Sequence, residues 1–208
     1  MSEQINDNSI LYQLVNEWYG ALNIRKPLSS GHLSNQWLNL WFAKGEQQII
    51  VDKKLLYYRS AIDNNLNYKP TSIIESMGMI ILYDQITRNI FRGSDMAYKY
   101  DEIARNIALD LVKNYEQLPI QLQITIVICL IHSENIDHHL LVKNLIENYI
   151  SKSQYIDQNV LSSLNGIAKN HFERISLFAR IPERNQFLNR TSTEQEIAFM
   201  NAVNKGSL

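Results

Sequence analysis

The sequence contains few of the residues that make tight turns. Only 7 glycines and 4 prolines occur among its 208 residues, under half of the roughly 12% that these two types contribute to an average protein. β-Sandwiches and β-barrels need many tight turns between short strands. The shortage therefore disfavours both of these fold classes.

Cysteine and long apolar runs are also scarce. The single cysteine, Cys129, excludes an intrachain disulfide framework and a cysteine-rich zinc site, and it fits a reducing compartment. The first ten residues lack the basic start and apolar run of a secretory signal. The longest apolar stretch, residues 124–131, is far shorter than the roughly 20 residues that span a bilayer. We therefore expect a soluble, cytoplasmic protein with no membrane partner.

Neither sign of charge is in excess. The chain carries 20 basic and 21 acidic side chains, for a formal net charge of -1. A dedicated nucleic-acid binder normally shows a large basic excess, so nucleic acid is not an expected partner. The apolar fraction of 45% is that of a globular protein with a sizeable core.

Apolar residues recur at the three-to-four spacing of a helix face. Ile73, Met77 and Ile80 illustrate the pattern, and no segment shows the clean period-two alternation of a strand. Ser-x-x-Glu and Thr-x-x-Glu sequences starting at residues 72 and 193 are typical of helix capping boxes. The pattern predicts about nine helices, over residues 9–19, 32–43, 47–65, 72–90, 94–114, 118–132, 135–151, 157–178 and 193–203.

Short connections between these helices favour antiparallel neighbours. The predicted fold is one all-α domain over residues 1–208, either a bundle or a stack of helical hairpins. The apolar stretch at 124–131 is interpreted as part of a buried helix, in which Cys129 is an inert thiol. Residues 1–8 and 204–208 are predicted to be flexible tails.

Charged residues extend one apolar stripe. The spacing of the helix predicted over 72–90 continues to Asp84, Arg88 and Arg92, so these side chains should face inward or line a cleft. Asp84 and Arg88, four residues apart, can pair. A structural ion pair and the wall of a pocket are both compatible with this pattern.

Two histidines and a glutamate form a second candidate group. His171 lies on the apolar stripe of the helix predicted over 157–178. His132 closes the apolar helix predicted over 118–132, and Glu134 follows two residues later. A His/His/carboxylate set is one that metals accept. The alternative is that His171 is a hydrogen-bonded core residue, which is the commoner role of a histidine on an apolar face.

The densest cationic stretch runs from Arg174 to Arg190 and includes Arg180 and Arg184. Pro182 should end a helix near residue 180, which leaves an irregular segment before the next helix. The free amides at the start of that next helix, together with the arginines, would suit a carboxylate or phosphate. Alternatively, the arginines bond loop carbonyls and hold the loop rigid.

Several segments carry a recognisable signature. Residues 82–93 read LYDQITRNIFRG, followed by Ala97 and Asp101, and residues 171–185 read HFERISLFARIPERN, followed by LNR at 188–190 and STEQE at 192–196. An IHSE element ends at residue 134, and a Trp-Phe pair stands at 41–42. Together, over about residues 10–203, these segments resemble a bacterial family known as domain of unknown function 924. The resemblance implies an all-helical array similar to tetratricopeptide repeats, and it implies no particular biochemical function.

The positions that match the family signature coincide with those singled out by the patterning, namely Asp84, Arg88, Arg92, His132, Glu134, His171, Arg180, Arg184, Asn185 and Arg190. The chain departs from the signature at three positions. Ala179 and Asn189 stand in place of glycines, and Glu183 stands in place of a histidine. The carboxylate at 183 lowers the local positive charge and removes a side chain that could hold a ligand or carry a proton.

The leading hypothesis is a binding or interaction module for a small anionic molecule or a peptide carboxylate. Its candidate ligand-binding residues are Asp84, Arg88, Arg92, Arg180, Arg184, Asn185 and Arg190. The second hypothesis is an enzyme that uses His132, Glu134 and His171 as acid/base groups or metal ligands. It requires both imidazoles within about 3–6 Å of one shared point. A third treats all these residues as a satisfied polar network that specifies the packing. The sequence indicates no particular cofactor, metal or oligomeric state.

Overall fold

The computed structural model describes residues 10–21 and 23–204, and all regular structure found there is helical. The all-α prediction is confirmed. Nine helical rods follow one another in this part of the chain. Their helices are α1 (Ile10–Tyr19), α2 (Ser30–Gln36), α3 (Gly45–Leu55), α4 (Arg59–Asn64), α5 (Ile73–Ile80), α6 (Thr87–Ile90), α7 (Asp101–Val112), α8 (Ile120–Ile131), α9 (Ile136–Asn148), α10 (Gln158–Phe178) and α11 (Glu194–Asn204).

Three rods change their helical geometry along their length. A π-helical turn, Trp37–Trp41, continues α2, and a second one, Ile81–Ile86, joins α5 to α6. A 3-10 turn, Leu56–Tyr58, joins α3 to α4. Isolated 3-10 turns lie at Asp95–Ala97, Tyr115–Gln117, Ile150–Lys152 and Pro182–Arg184.

The predicted helix starts agree with the structure at both capping boxes. Ser72 Oγ accepts a hydrogen bond from the Glu75 amide at 3.3 Å, while Glu75 Oε2 accepts one from the Ser72 amide at 3.1 Å. The same reciprocal bonds join Thr193 and Glu196. The tails predicted over residues 1–8 and 204–208 lie, apart from residue 204, outside the described residues.

The helix predicted over 94–114 begins later than expected. Residues 95–97 form a separate 3-10 turn, and α7 starts only at Asp101. The Asp101 amide bonds the Tyr98 carbonyl at 3.2 Å, which closes a second turn before the helix. Asp101 and Glu102 then occupy the first turn of α7, where negative charge is favourable.

Helix α8 is the centre of the core, because all of its residues are buried. It contacts α5, α7, α9 and α10. Its polar side chains are hydrogen-bonded: Gln121 bonds the Leu28 amide and the Ile24 carbonyl, and Thr125 accepts from the Tyr19 hydroxyl at 2.9 Å. Because an unpaired buried polar group is costly, these bonds fix the register of α8 and thereby the position of its C-terminal end.

Cys129 lies within α8 and is 3% exposed. Burial raises the pKa of its thiol well above the ordinary value, so the nucleophilic thiolate is scarce at neutral pH. The buried environment of Cys129 agrees with its interpretation as an inert thiol.

None of the helices within residues 10–21 and 23–204 is both long enough and apolar enough to cross a membrane.

The residue that follows α10 has a left-handed backbone conformation. Ala179 follows the helix with φ of 55°, and its amide bonds the Ile175 carbonyl at 2.9 Å. Asn189, in the following loop, has φ of 52°. The family resemblance implies glycine at both positions, and glycine reaches this conformation without the steric cost of a Cβ atom. The backbone keeps the glycine geometry although the side chains differ.

Replacing Ala179 by glycine is expected to stabilise the protein by about 0.5–1 kcal/mol, because the left-handed penalty of alanine disappears. Ala168→Gly, in the regular part of α10, is the matched control. It should destabilise by about 0.5–1 kcal/mol, as glycine does within a helix. Urea unfolding of both variants measures the two free energies, and a loss of stability in Ala179→Gly would contradict the argument.

Candidate functional site

His132 caps the C-terminal end of α8, where the core opens to the surface. Its Nδ1 lies 2.9 Å from Asp84 Oδ1 and 3.1 Å from Asp84 Oδ2. An ionised carboxylate only accepts hydrogen bonds, so Nδ1 carries the proton and the neutral ring has an unprotonated Nε2. Among the described residues, nothing forms a hydrogen bond with this Nε2. Asp84 and His132 therefore form a dyad in which Nε2 of the His132 ring has a free lone pair.

Asp84 lies in the π-helical turn between α5 and α6 and is 1% exposed. Burial on its own would raise the pKa of this carboxyl. Arg88, whose Nη1 is 2.9 Å from Oδ1, and His132 together lower the pKa to about 2. The Gln85 amide also donates to Oδ2. Asp84 is consequently a buried, fully ionised carboxylate at neutral pH.

Asp101 interacts with two guanidinium groups. Arg88 binds it with both terminal nitrogens, at 2.8 and 2.7 Å, and also donates to the Asp84 carbonyl at 2.7 Å. Arg184 approaches Asp101 at 3.6 Å and stacks over the Tyr98 ring, with 4.9 Å from its guanidinium carbon to the ring centroid. Arg88 therefore has short contacts with two carboxylates, whereas Arg184 has only a long ion pair.

Arg184 is buried, with an exposed fraction of 7%. Within the described residues its side chain donates no hydrogen bond, although a guanidinium carries five N–H groups. Burial and the neighbouring charge of Arg88 lower its pKa. The donors of this guanidinium are therefore not used by the described part of the protein.

His171, on α10, faces His132. The two ring centroids are 5.9 Å apart and the ring planes meet at 65°. His171 Nδ1 lies 3.0 Å from the Ile167 carbonyl, so it donates to that oxygen and leaves Nε2 unprotonated. Burial, reinforced by His132, lowers the pKa of His171 to about 3. The spacing meets the distance that the enzyme hypothesis requires, and both rings are neutral at physiological pH.

These side chains line a cleft with a volume of about 420 Å³. The candidate residues that line it are Arg88, Arg92, His132, His171 and Arg184. A second cavity, of about 260 Å³, adjoins the first, because Arg88, Arg92 and His132 line both. Arg92 is the most exposed of these three, and it pairs with Asp52 at 3.3 Å.

Glu134 does not join the two histidines. Burial on its own would raise the pKa of its carboxyl, but Arg190, at 2.6 and 3.0 Å, and the Ile181 amide, at 2.9 Å, lower it. Arg190 also donates to the Ile181 carbonyl at 3.2 Å. In the part of the chain that the structure describes, no three His, Cys, Asp or Glu side chains are placed to hold a metal ion. The predicted His132/Glu134/His171 set is therefore not assembled.

Arg180 and Asn185 also lie away from the cleft, because the buried Glu196 binds them. Arg180 donates to Glu196 at 2.6 and 2.8 Å, and Asn185 Nδ2 donates to Glu196 at 3.4 Å and to Ser192 at 3.0 Å. The Thr193 amide bonds Glu196 Oε2 at 2.7 Å. Arg180 and these bonds lower the pKa of Glu196 to about 2. The helix start that was expected to bind an anion is thus capped by a carboxylate of its own chain.

Several residues of the cleft were not among the predicted ligand-binding residues. Tyr98 and Asp101 hold Arg184, and Glu183 accepts a 2.7 Å hydrogen bond from Arg174 at the rim. Asp101 stands thirteen residues after Arg88 and on another helix, so helical spacing does not reveal their pairing. The only sequence signal was that Asp101 follows the first long motif of the family signature.

With this geometry established, the comparisons with known proteins identify the family. A family model described as "Bacterial protein of unknown function (DUF924)" matches residues 14–204. The chain belongs to this family. The DUF924 match covers all the residues that line the two cavities.

A solved structure supports the fold. The protein titled "Structure of Protein of Unknown Function ATU0120 from Agrobacterium tumefaciens" is similar, with a TM-score of 0.60 and 22% sequence identity. The similarity covers 77% of this chain and 87% of that protein. At this identity the likeness concerns the fold alone. A comparison with curated proteins returns no match.

The two cleft histidines should make the protein less stable in mild acid. Their pKa values lie below the ordinary histidine value of about 6.5, so below that pH the unfolded chain binds protons that the folded chain does not. Stability is therefore complete above pH 6.5 and is lost as the pH falls toward 3. His171→Gln should flatten the pH dependence of the unfolding free energy between pH 6.5 and 4.5, as measured by urea unfolding.

Asn165→Gln, an exposed change on the same helix, is the control and should keep the wild-type slope. A wild-type slope in His171→Gln would mean that His171 titrates normally in the folded state.

Proposed function

We propose that the cleft binds a small molecule through an anionic group, either a carboxylate or a phosphate. One observation carries the proposal: Arg184 is a buried guanidinium that lines the cleft and donates no hydrogen bond to the described protein. Guanidinium groups match carboxylate and phosphate oxygens in geometry and charge. Such a ligand supplies the acceptors that Arg184 lacks.

The other charges around the cleft support an anion and not a cation. Each carboxylate near Arg184 has an arginine partner: Arg88 for Asp84 and Asp101, Arg190 for Glu134, and Arg174 for Glu183, whose Oε2 is nevertheless buried without a hydrogen bond from the described residues. The two imidazoles are neutral and bring no competing negative charge. A volume of about 420 Å³ is in the lower part of the range for ligand pockets. The ligand is therefore a small molecule or the terminal carboxylate of a peptide.

Two further expectations belong to this proposal. The arrangement of consecutive packed helices supports a stack of hairpins similar to tetratricopeptide repeats, which commonly present a concave binding face. The single cysteine and balanced charge support a cytoplasmic location without nucleic acid as a partner.

Arg184→Gln should weaken the binding of inorganic phosphate and acetate at least tenfold, because a charge-assisted hydrogen bond contributes about 1.5–3 kcal/mol. Its melting temperature should change little, since Asp101 keeps its bidentate partner Arg88. Titrations followed by amide chemical shifts measure the binding, and calorimetry measures the melting temperature.

Arg180→Gln is the matched control. Arg180 lies four residues before Arg184 but binds Glu196, so this variant should lose stability and keep wild-type anion binding. Equal binding in Arg184→Gln and wild type would show that the anion site is elsewhere or absent.

A second candidate function is proton transfer by His132. The specific observation is the Asp84–His132 dyad, whose buried carboxylate orients the ring and leaves Nε2 free toward the cleft. Nε2 can take a proton from a bound water or from a substrate hydroxyl, and the charge of Asp84 stabilises the resulting imidazolium. This arrangement supports an enzyme in which His132 is the base and Asp84, instead of Glu134, is the carboxylate next to it.

Asp84→Asn should lower the pKa of His132 further, because the negative charge of Asp84 raises that pKa in the native protein. Ring carbon and nitrogen shifts of labelled histidine measure it, and His171, which Asp84 does not contact, is the internal reference. An unchanged or raised pKa of His132 would contradict the dyad.

The catalytic candidate also needs turnover. Wild-type protein and His132→Gln can be compared on a panel of small anionic esters and phosphate monoesters. General base catalysis contributes about 10²–10⁴-fold, so the variant should lose that factor. Absence of turnover in the wild type, with anion binding intact, would leave a binding module.

A further inference from the structure

We infer that the ligand is amphipathic, with its anionic group at Arg184 and an apolar body in the adjoining cavity. This inference rests on the proposed anion-binding function and names the class of ligand. It follows from the apolar residues that line only the second cavity, next to the wall that the two cavities share.

The shared wall consists of Arg88, Arg92 and His132. Two of these side chains are held in place, Arg88 by Asp101 and His132 by Asp84. Arg92 has a side chain that is 52% exposed, and it donates hydrogen bonds of 3.3 Å to Asp52 and Asn89. A ligand that fills both cavities passes the fixed imidazole of His132 and the half-exposed side chain of Arg92.

Polar side chains such as Gln48, Gln85 and Asn89 line part of the second cavity. The rest of its lining is apolar and includes Leu40, Trp41, Phe42 and Ile128. Phe42 packs on Trp37, with ring centroids 4.3 Å apart, and Trp41 is held by a 2.9 Å hydrogen bond from its indole to the Trp18 carbonyl. These walls are therefore preformed, and they favour a hydrocarbon or aromatic group over a charged one.

The charged residues of the two cavities determine which end of the ligand lies in which cavity. Arg184 lines only the first cavity. In the second, Asp52 pairs with Arg92, and Lys44 is exposed, so its ammonium group stays hydrated. The anionic end is therefore placed in the first cavity.

The size of the second cavity limits the apolar group. Its volume of about 260 Å³ is below the roughly 300–1,000 Å³ of complete ligand pockets. It therefore holds part of a ligand, such as a short alkyl chain or a single ring. In this placement the bond between the anionic head and the apolar body lies beside His132.

The test compares acetate, butyrate and hexanoate, titrated into the full-length protein and followed by amide and methyl chemical shifts. A buried methylene strengthens binding about fourfold. Hexanoate should therefore bind roughly 10- to 200-fold more tightly than acetate, with the largest methyl shifts at Leu40 and Ile128.

Leu40→Gln makes one wall of the second cavity polar. It should abolish most of the gain with chain length and leave acetate binding unchanged. Leu38→Gln is the control, because Leu38 lies in the same π-helical turn but is 66% exposed and does not line the cavity. Its chain-length series should match the wild type.

The outcomes separate the two proposals. If acetate binds in a manner that depends on Arg184 but affinity does not rise with chain length, the amphipathic ligand is refuted and the anion site stands. If the gain persists in Leu40→Gln, the apolar group lies elsewhere and the placement is refuted. If no member of the series binds at Arg184, the anion site fails and this inference fails with it.

Discussion

The structure around the cleft depends on one buried charge. Asp84 is ionised and 1% exposed, and a buried carboxylate is stable only when charges and hydrogen-bond donors compensate it. The compensation comes from Arg88, one turn further along the same rod, and from His132 at the end of α8. The same interaction therefore fixes one imidazole tautomer and joins the α5–α6 rod to the central helix. Any change at Asp84 alters both the packing and the chemistry of the cleft.

The arginines of the C-terminal segment have separate roles, and the carboxylates decide them. Glu196 binds Arg180, and Glu134 binds Arg190, which together hold the loop between α10 and α11. Arg184 has no such carboxylate of its own, since Asp101 is already occupied by Arg88. Arg180 and Arg190 each donate two hydrogen bonds to a carboxylate, whereas Arg184, which lines the cleft, donates none to the described residues. Incomplete pairing of this kind is common at binding sites, which are seldom optimised for stability.

The positions of the family signature have different physical roles in the structure. Some of its positions serve the backbone: Ala179 and Asn189 adopt left-handed conformations that glycine accommodates best. Others, such as Glu134, hold the loop. Of the ten charged or polar positions that match the signature, five line the cavities, namely Arg88, Arg92, His132, His171 and Arg184. A motif match therefore identifies the family without identifying which residues meet a ligand.

The sequence by itself determined the helices. Apolar spacing and the two capping boxes are local signals, because a helix is built from contacts between residues three and four apart. The same local signals singled out Asp84, His132, His171 and Arg184. Only the tertiary structure decided which charges pair, because Asp101 and Glu134 meet their arginines across different elements of the chain. Partners that are distant in sequence leave no periodic signal. The sequence therefore does not show which arginines are paired and which keep donors free for the cleft, and only the folded protein does.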